Sequence, residues 1–242
     1  MSELKKCWVA ALALTGLLLP GAAAAATGKL KVTVDDTANG KALPGQYAFC
    51  VAAQQGHVGL GANKNPKLAW SGAPKGTKSF AVIVLDPDVP SVPTDVNKEG
   101  KTISKSLKRT VFYHWVLVDI PATVNAIDEG ADSDKVTPHG KPPGAGPVGV
   151  RGVNDYTKWF ASDVQMKGEY GGYDGPCPPW NDTITHHYHF QVYALDVSSL
   201  KVGGKVDGPA VVKAMKSHVL AHGETVGTYV LNPALMKARA TK

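Results

Sequence analysis

Apolar positions along the 242-residue chain follow a few distinct patterns. Over 29–34, Leu30, Val32 and Val34 alternate with polar residues, the period-two mark of a half-buried strand. Over 79–86 (SFAVIVLD) the apolar run is continuous and rich in β-branched residues, which predicts a strand covered on both faces. Segments 110–119 (TVFYHWVLVD), 185–195 (THHYHFQVYAL) and 225–231 (TVGTYVL) also read as strands. Gly- and Pro-rich turns, notably 138–149 and 171–179, lie between them. One segment has a helical period. Asp207 can cap it, Pro209 suits its first turn, and Val211, Val212, Met215, Val219 and Leu220 share a stripe that Gly223 closes. This balance predicts a mostly β fold of packed antiparallel sheets with one C-terminal helix. No internal repeat or linker divides the chain.

The N-terminus changes the picture of where the fold begins. Lys5 and Lys6 precede an apolar stretch from Trp8 to Leu19, then Pro20-Gly21 and the small residues Ala22 to Ala26. That order reads as a signal peptide over 1–26, too short and Ala-rich for a membrane span. A single domain over 27–242 is expected, secreted or periplasmic, with no transmembrane segment after signal removal. Charged residues at 19% and hydrophobic residues at 43% exclude a disordered chain and a coiled coil. The net charge of +6 is mildly basic and describes a solvated surface as readily as an anion-binding one. With no arginine-rich helix and no zinc-finger spacing, nucleic acid is not an expected partner. Cys7 falls in the signal. Cys50 and Cys177 remain, and an oxidising compartment favours one disulfide over two buried thiols.

Candidate chemistry concentrates at a few places. Asp86-Pro87-Asp88-Val89-Pro90 directly follows the buried strand, and its prolines can hold the carboxylates in fixed directions; an ordinary solvated turn has the same composition. His114 lies within an apolar strand, where a hydrogen-bonded core histidine is the plainer reading. Along 186–190 the strand period puts His186, Tyr188 and Phe190 on one face and His187 and His189 on the other, so the three histidines do not all point into one pocket, which weakens a three-histidine metal site. His218 and His222 stand at helical spacing without a third ligand. No nucleophile elbow, P-loop or dinucleotide fingerprint occurs, and no cofactor or metal is expected. Two polar or aromatic stretches, 91–109 and 156–174, read as inserted loops. The first carries Lys98, Lys101, Lys105, Lys108 and Arg109; the second carries Trp159, Phe160 and Met166.

Taken in order, several pieces resemble the phosphatidylethanolamine-binding protein family, in its bacterial branch of exported Raf kinase inhibitor-like proteins. They are Asn65-Pro66-Lys67-Leu68-Ala69-Trp70, GAPKGTKSFAVIVLDPDVP, HWVLVDIPA, GVNDY, YDGPCPP, and His186-His187-Tyr188 leading into FQVYALD. The resemblance spans roughly 46–232. It implies two antiparallel β-sheets with Greek-key connections, a C-terminal helix and a small anion pocket. Carried over, the pocket residues are Asp86, His114, Gly175, His186 and Tyr188. Asp88 and Pro90 would shape one turn, and Pro176, Pro178 and Pro179 the facing loop. A backbone N–H near Gly175 would donate to a phosphate oxygen, and Val89–Pro90 would be cis. His187 stands where the family usually has an arginine.

The implied function is a non-catalytic binding protein for phosphate, a phosphomonoester or a phospholipid head group. An alternative is an extracytoplasmic modulator, of protease- or signalling-inhibitor type, binding a protein through the two inserted loops. A hydrolase using Asp86 and His114 as acid and base is a third reading, weakened by the lack of a nucleophile.

Overall fold

The structure is a computed structural model that describes residues 28–241 apart from 36 and 38, so the expected signal peptide lies outside the described residues. Among the described residues the strands are β1 (Gly28–Lys29), β2 (Lys31–Val34), β3 (Cys50–Ala52), β4 (Val58–Leu60), β5 (Leu68–Ser71), β6 (Ser79–Pro90), β7 (Arg109–Pro121), β8 (Ala126–Ile127), β9 (Gly144–Gly146), β10 (Gly149–Arg151), β11 (His186–Leu195) and β12 (Val219–Tyr229). The helices are α1 (Tyr156–Trp159), α2 (Gly208–Met215) and α3 (Pro233–Ala240).

Seven strands form the main sheet in the order β1-β12-β11-β6-β7-β10-β9. Its pairs are antiparallel except β1 with β12. Strand β11 returns to lie beside β6, which gives β11-β6-β7-β10 a Greek-key order. A second antiparallel sheet, β2-β5-β8, packs on one face, and β3 and β4 form a separate hairpin.

The continuous apolar run of β6 has the meaning its pattern predicts. Phe80, Val82 and Val84 pack with Val32, Leu68 and Trp70 beneath the smaller sheet. Ala81 and Ile83 point the other way, into a core with Val116, Val118, Val211 and Met215 under α2. Both faces are covered, so alternation disappears from the sequence.

Three expectations about boundaries are corrected. The strand expected at 29–34 divides at Leu30, with β1 joining the main sheet and β2 the smaller one. The alternation of buried Leu30, Val32 and Val34 survives the division. Asp207 does cap α2, its side chain accepting the Ala210 N–H at 3.1 Å, but the helix stops at Met215. Val219, Leu220 and Gly223 belong to β12, so His218 and His222 share no helix. The inward positions of β12 include Ala221, Gly223, Thr225 and Gly227, which give little hydrophobic signal. Gly223 is required there: a Cβ would lie 2.4 Å from the Leu30 carbonyl oxygen. A second C-terminal helix, α3, was not expected. Asn232 caps it, accepting the N–H groups of Ala234 and Leu235.

Candidate functional site

Strands β6, β7 and β11 meet at an open cleft. Its floor comes from four buried side chains: Asp86 at the end of the apolar part of β6, His114 on β7, and His186 and Tyr188 on β11. The two-residue period places His186, Tyr188 and Phe190 inward and leaves His187 outside. Pro90, Phe112, Pro178 and Pro179 line the walls. Both inserted segments reach the cleft, one through Pro93, Val96 and Asn97, the other through Tyr156 and Trp159.

The floor is organised by charge. His186 Nδ1 is 2.7 Å from Asp86 Oδ2, and its Nε2 is 3.2 Å from Asp182 Oδ2. Asp182 in turn holds Arg109, whose Nη2 donates to its Oδ1 at 3.0 Å. Burial opposes a charge on His186, but Asp86 and Asp182 outweigh it and raise its pKa to about 9. An imidazolium therefore donates to two carboxylates. Burial likewise opposes ionisation of Asp182, yet His186 and Arg109 bring its pKa below the ordinary value. The chain Asp86–His186–Asp182–Arg109 alternates in sign and is neutral as a whole.

His114 behaves differently. Its Nδ1 lies 2.8 Å from the Asp174 carbonyl oxygen. Burial lowers its pKa, against the opposing pull of Asp86, so the ring is neutral at neutral pH. It meets the Tyr188 ring edge-on at 5.2 Å. The Tyr188 hydroxyl is buried with no acceptor at full hydrogen-bond distance among the described residues, and Asp86 is near enough to act on it both as a charge and as a weak acceptor. Burial, then Asp86, raises its pKa well above the usual tyrosine value.

The expected residues thus divide. Asp86, Pro90, His114, Pro178, Pro179, His186 and Tyr188 come together at the cleft. Asp88 does not line it; its Oδ2 accepts from His187 Nδ1 at 2.7 Å and from the His187 N–H at 2.9 Å. Gly175 and Pro176 stand behind the wall. The Gly175 N–H, expected to face a ligand, instead donates to Asn63 Oδ1 at 2.8 Å. The Gly175 carbonyl accepts the Tyr156 hydroxyl at 2.7 Å. A Cβ on Gly175 would fall 1.9 Å from the Tyr47 carbonyl oxygen, so close approach fixes the glycine. The Pro176 carbonyl accepts the Cys50 N–H, and Cys50 and Cys177 are joined as a disulfide.

Val89–Pro90 is trans, since the described residues contain no cis peptide bond. The chain bends by a bulge instead: the three steps from Asp86 to Val89 face two from Phe112 to Thr110. Asp86 Oδ1 accepts the Asp88 N–H at 2.7 Å and closes the turn.

Two functional neighbours escaped sequence reasoning. Asp182 follows the Gly-Pro loop in the string Trp180-Asn181-Asp182, and Arg109 was visible only as one basic residue among five in its loop.

Comparison with known proteins follows the same outline. The sequence model of the family described as "Phosphatidylethanolamine-binding protein" matches residues 33–230. The UPF0098 protein YbcL of Escherichia coli (strain K12) is 31% identical over 201 residues, 82% of this chain and 86% of that protein. The UPF0098 protein YbhB of the same organism is 30% identical over 194 residues, 79% and 94% of the two chains. The crystal structure of E. coli YbcL, described as a new member of the mammalian PEBP family, superposes with a TM-score of 0.58 at 29% identity. It covers 84% of this chain and 99% of that one. The crystal structure of a putative phosphatidylethanolamine-binding protein homologue, CT736 from Chlamydia trachomatis, gives a TM-score of 0.54 at 26% identity, covering 84% and 98%.

Proposed function

The chain belongs to the phosphatidylethanolamine-binding protein family, and from that premise we propose that it is an exported, non-catalytic protein whose cleft binds a phosphate-type head group. The observation that carries this reading is the buried Tyr188 hydroxyl, which has no acceptor at full hydrogen-bond distance among the described residues and stands beside His114 and Asp86. A buried hydroxyl left unpaired costs about 1–3 kcal/mol, and a ligand oxygen would recover much of that. The apolar walls suit a small polar group attached to something less polar, and Asn97 brings a carboxamide to the mouth. The group is free or carried on a phospholipid; the cleft chemistry is the same.

Binding without turnover is favoured by how the carboxylates are used. Both Asp86 oxygens already accept hydrogen bonds, from Asp88 and His186. The His186 ring is tied at both nitrogens. A lone acid–base pair contributes about 10²–10⁴-fold, small beside the enhancements of up to about 10²¹ known for phosphate-ester hydrolysis. A second reading, a protein-binding modulator, draws on exposed apolar residues in the inserted segments: Val92, Trp159 and Val164.

Calorimetric titration with inorganic phosphate and with phosphoethanolamine tests the proposal. One saturable site is expected, weakened about tenfold or more in Tyr188→Phe, with no change in the ligand's ³¹P spectrum on long incubation. Hydrolysis that disappears with Asp86→Ala would overturn the non-catalytic part. Export is checked by N-terminal sequencing of the periplasmic fraction, with a start near residue 27 expected.

A further inference from the structure

We infer that the cleft selects oxyanions that still carry a proton, taking phosphate and phosphomonoesters in forms that keep a P–OH group and rejecting sulfate. This rests on the head-group reading above and narrows it. The basis is a count of which polar groups at the floor remain available, and in which sense.

His114 Nδ1 faces the Asp174 carbonyl oxygen at 2.8 Å. A carbonyl only accepts, so Nδ1 carries the hydrogen and the neutral ring offers a lone pair at Nε2. His186 spends both N–H groups on Asp86 and Asp182. The Gly175 N–H is spent on Asn63. What the floor presents to a ligand is therefore the His114 lone pair, the remaining lone pairs of Asp86, and the Tyr188 hydroxyl. Of these only the hydroxyl can donate, and Asp86 already draws on it weakly.

The cations near the floor do not alter this count. His186 lies between two carboxylates, Arg109 is held by Asp182, and Lys141 Nζ is 2.8 Å from Asp174 Oδ1. The charged and titratable groups facing His114 are Asp86 on β6, Asp155 and Tyr156 at the start of α1, Asp174, and Tyr188 on β11. Asp174 is matched by Lys141 and by the side chains of Asn63 and Asn154, each at 2.8 Å. Asp155 accepts the Tyr113 N–H at 2.9 Å and pairs with Lys158. Burial keeps the His114 ring neutral against these carboxylates.

A fully ionised oxyanion has acceptors only. It would set oxygen against the His114 lone pair and against the Asp86 carboxylate, with one hydroxyl at the floor and the Asn97 carboxamide at the mouth to hold it. A P–OH group reverses one of these contacts: it donates to Nε2 or to Asp86, while another oxygen accepts from Tyr188. Sulfate has no proton to offer near neutrality, whereas a phosphomonoester loses its second proton only at about pH 6.

The test uses the whole exported protein and three probes: inorganic phosphate, phosphoethanolamine and sulfate. At neutral pH, calorimetry should show phosphate binding and sulfate at least about tenfold weaker. Phosphoethanolamine affinity should fall about tenfold from about pH 7 to about pH 8, because the bound form must regain a proton. Titrations in buffers of different ionisation heat should report uptake of close to one proton there. His114→Gln presents an amide donor and should narrow the gap between sulfate and phosphate; the unmodified protein decides the matter if that variant does not fold. Sulfate binding within about threefold of phosphate at neutral pH would overturn proton selection and leave the head-group reading intact. Failure of phosphate and phosphoethanolamine to bind at any pH would overturn both.

Discussion

Two successive residues, His186 and His187, each place Nδ1 2.7 Å from an aspartate of the same Asp-Pro-Asp turn. The pairs are alike in distance and in chemistry, but the strand period sends them to opposite faces. His186 and Asp86 have side chains 1% and 2% exposed, whereas His187 and Asp88 are 47% and 23% exposed. The buried pair sits where charge interactions are strong and an unmatched charge is costly. Its outer counterpart is screened by water and salt. Identical contacts therefore do different work: the inner one holds the cleft floor, and the outer one fastens the start of β11 to the turn.

The sharpest way to break this comparison is to remove each histidine in turn. His186→Ala leaves Asp86 and Asp182 buried and facing one another, with Arg109 matching only one of them. A loss of about 3–5 kcal/mol is expected in urea unfolding. His187→Ala should cost less than about 1 kcal/mol. Equal losses would mean that burial does not distinguish the pairs.

Titration separates them next. The pKa of His186 is raised to about 9 from 6.5. A raised value in the folded state adds stability that is complete below about pH 6.5 and fades as pH rises through about 9. Stability should therefore drop by up to about 3 kcal/mol across that window, and the drop should vanish in His186→Ala. A flat profile from neutral pH to about pH 9 would show that the imidazolium is not held.

How much of this was legible follows from the range of each interaction. The continuous run of β6 and the inward set His186, Tyr188 and Phe190 could be read because both depend on strand period alone. The pairing of Asp86 with His186 spans 100 positions, and only the ordered family motifs brought these residues together beforehand. Arg109 and Asp182 were missed because their contact joins the first residue of β7 to a loop, where periodicity is silent. The Gly175 N–H was assigned to a ligand because nothing local shows that Asn63, 112 positions away, already takes it. The start of β12 was read as helix because Val219 and Leu220 extend the α2 stripe, while small Ala221 and Gly223 hide the change to period two.

Tyr188→Phe tests the floor from the other side. The ring stays and a buried hydroxyl with no more than a weak hold on Asp86 goes, so the protein should keep its stability or gain up to about 1 kcal/mol. Ligand affinity should nonetheless fall, by about tenfold or more for phosphate at neutral pH. A matching loss of stability would mean that the hydroxyl has a partner in the fold and is not reserved for a ligand. The measurement is thermal unfolding alongside calorimetry on the same preparation.

The smallest effect concerns the arginine that this chain lacks at 187. The resemblance alone suggests that a cation is missing from the pocket. The structure places position 187 on the outer face, where the side chain meets Asp88 and the backbone N–H meets the same oxygen at 2.9 Å. An arginine there would stay outside and pair with Asp88, while the guanidinium beside the floor already comes from Arg109 through Asp182. His187→Arg should therefore change stability by less than about 0.5 kcal/mol. Any gain should shrink as salt rises, as expected of an exposed ion pair. Phosphate affinity should stay within about twofold, since no new donor reaches Tyr188 or His114. A clear increase in affinity would mean that the side chain at 187 reaches the cleft, and that the division of the two histidines by face does not hold when the residue is longer.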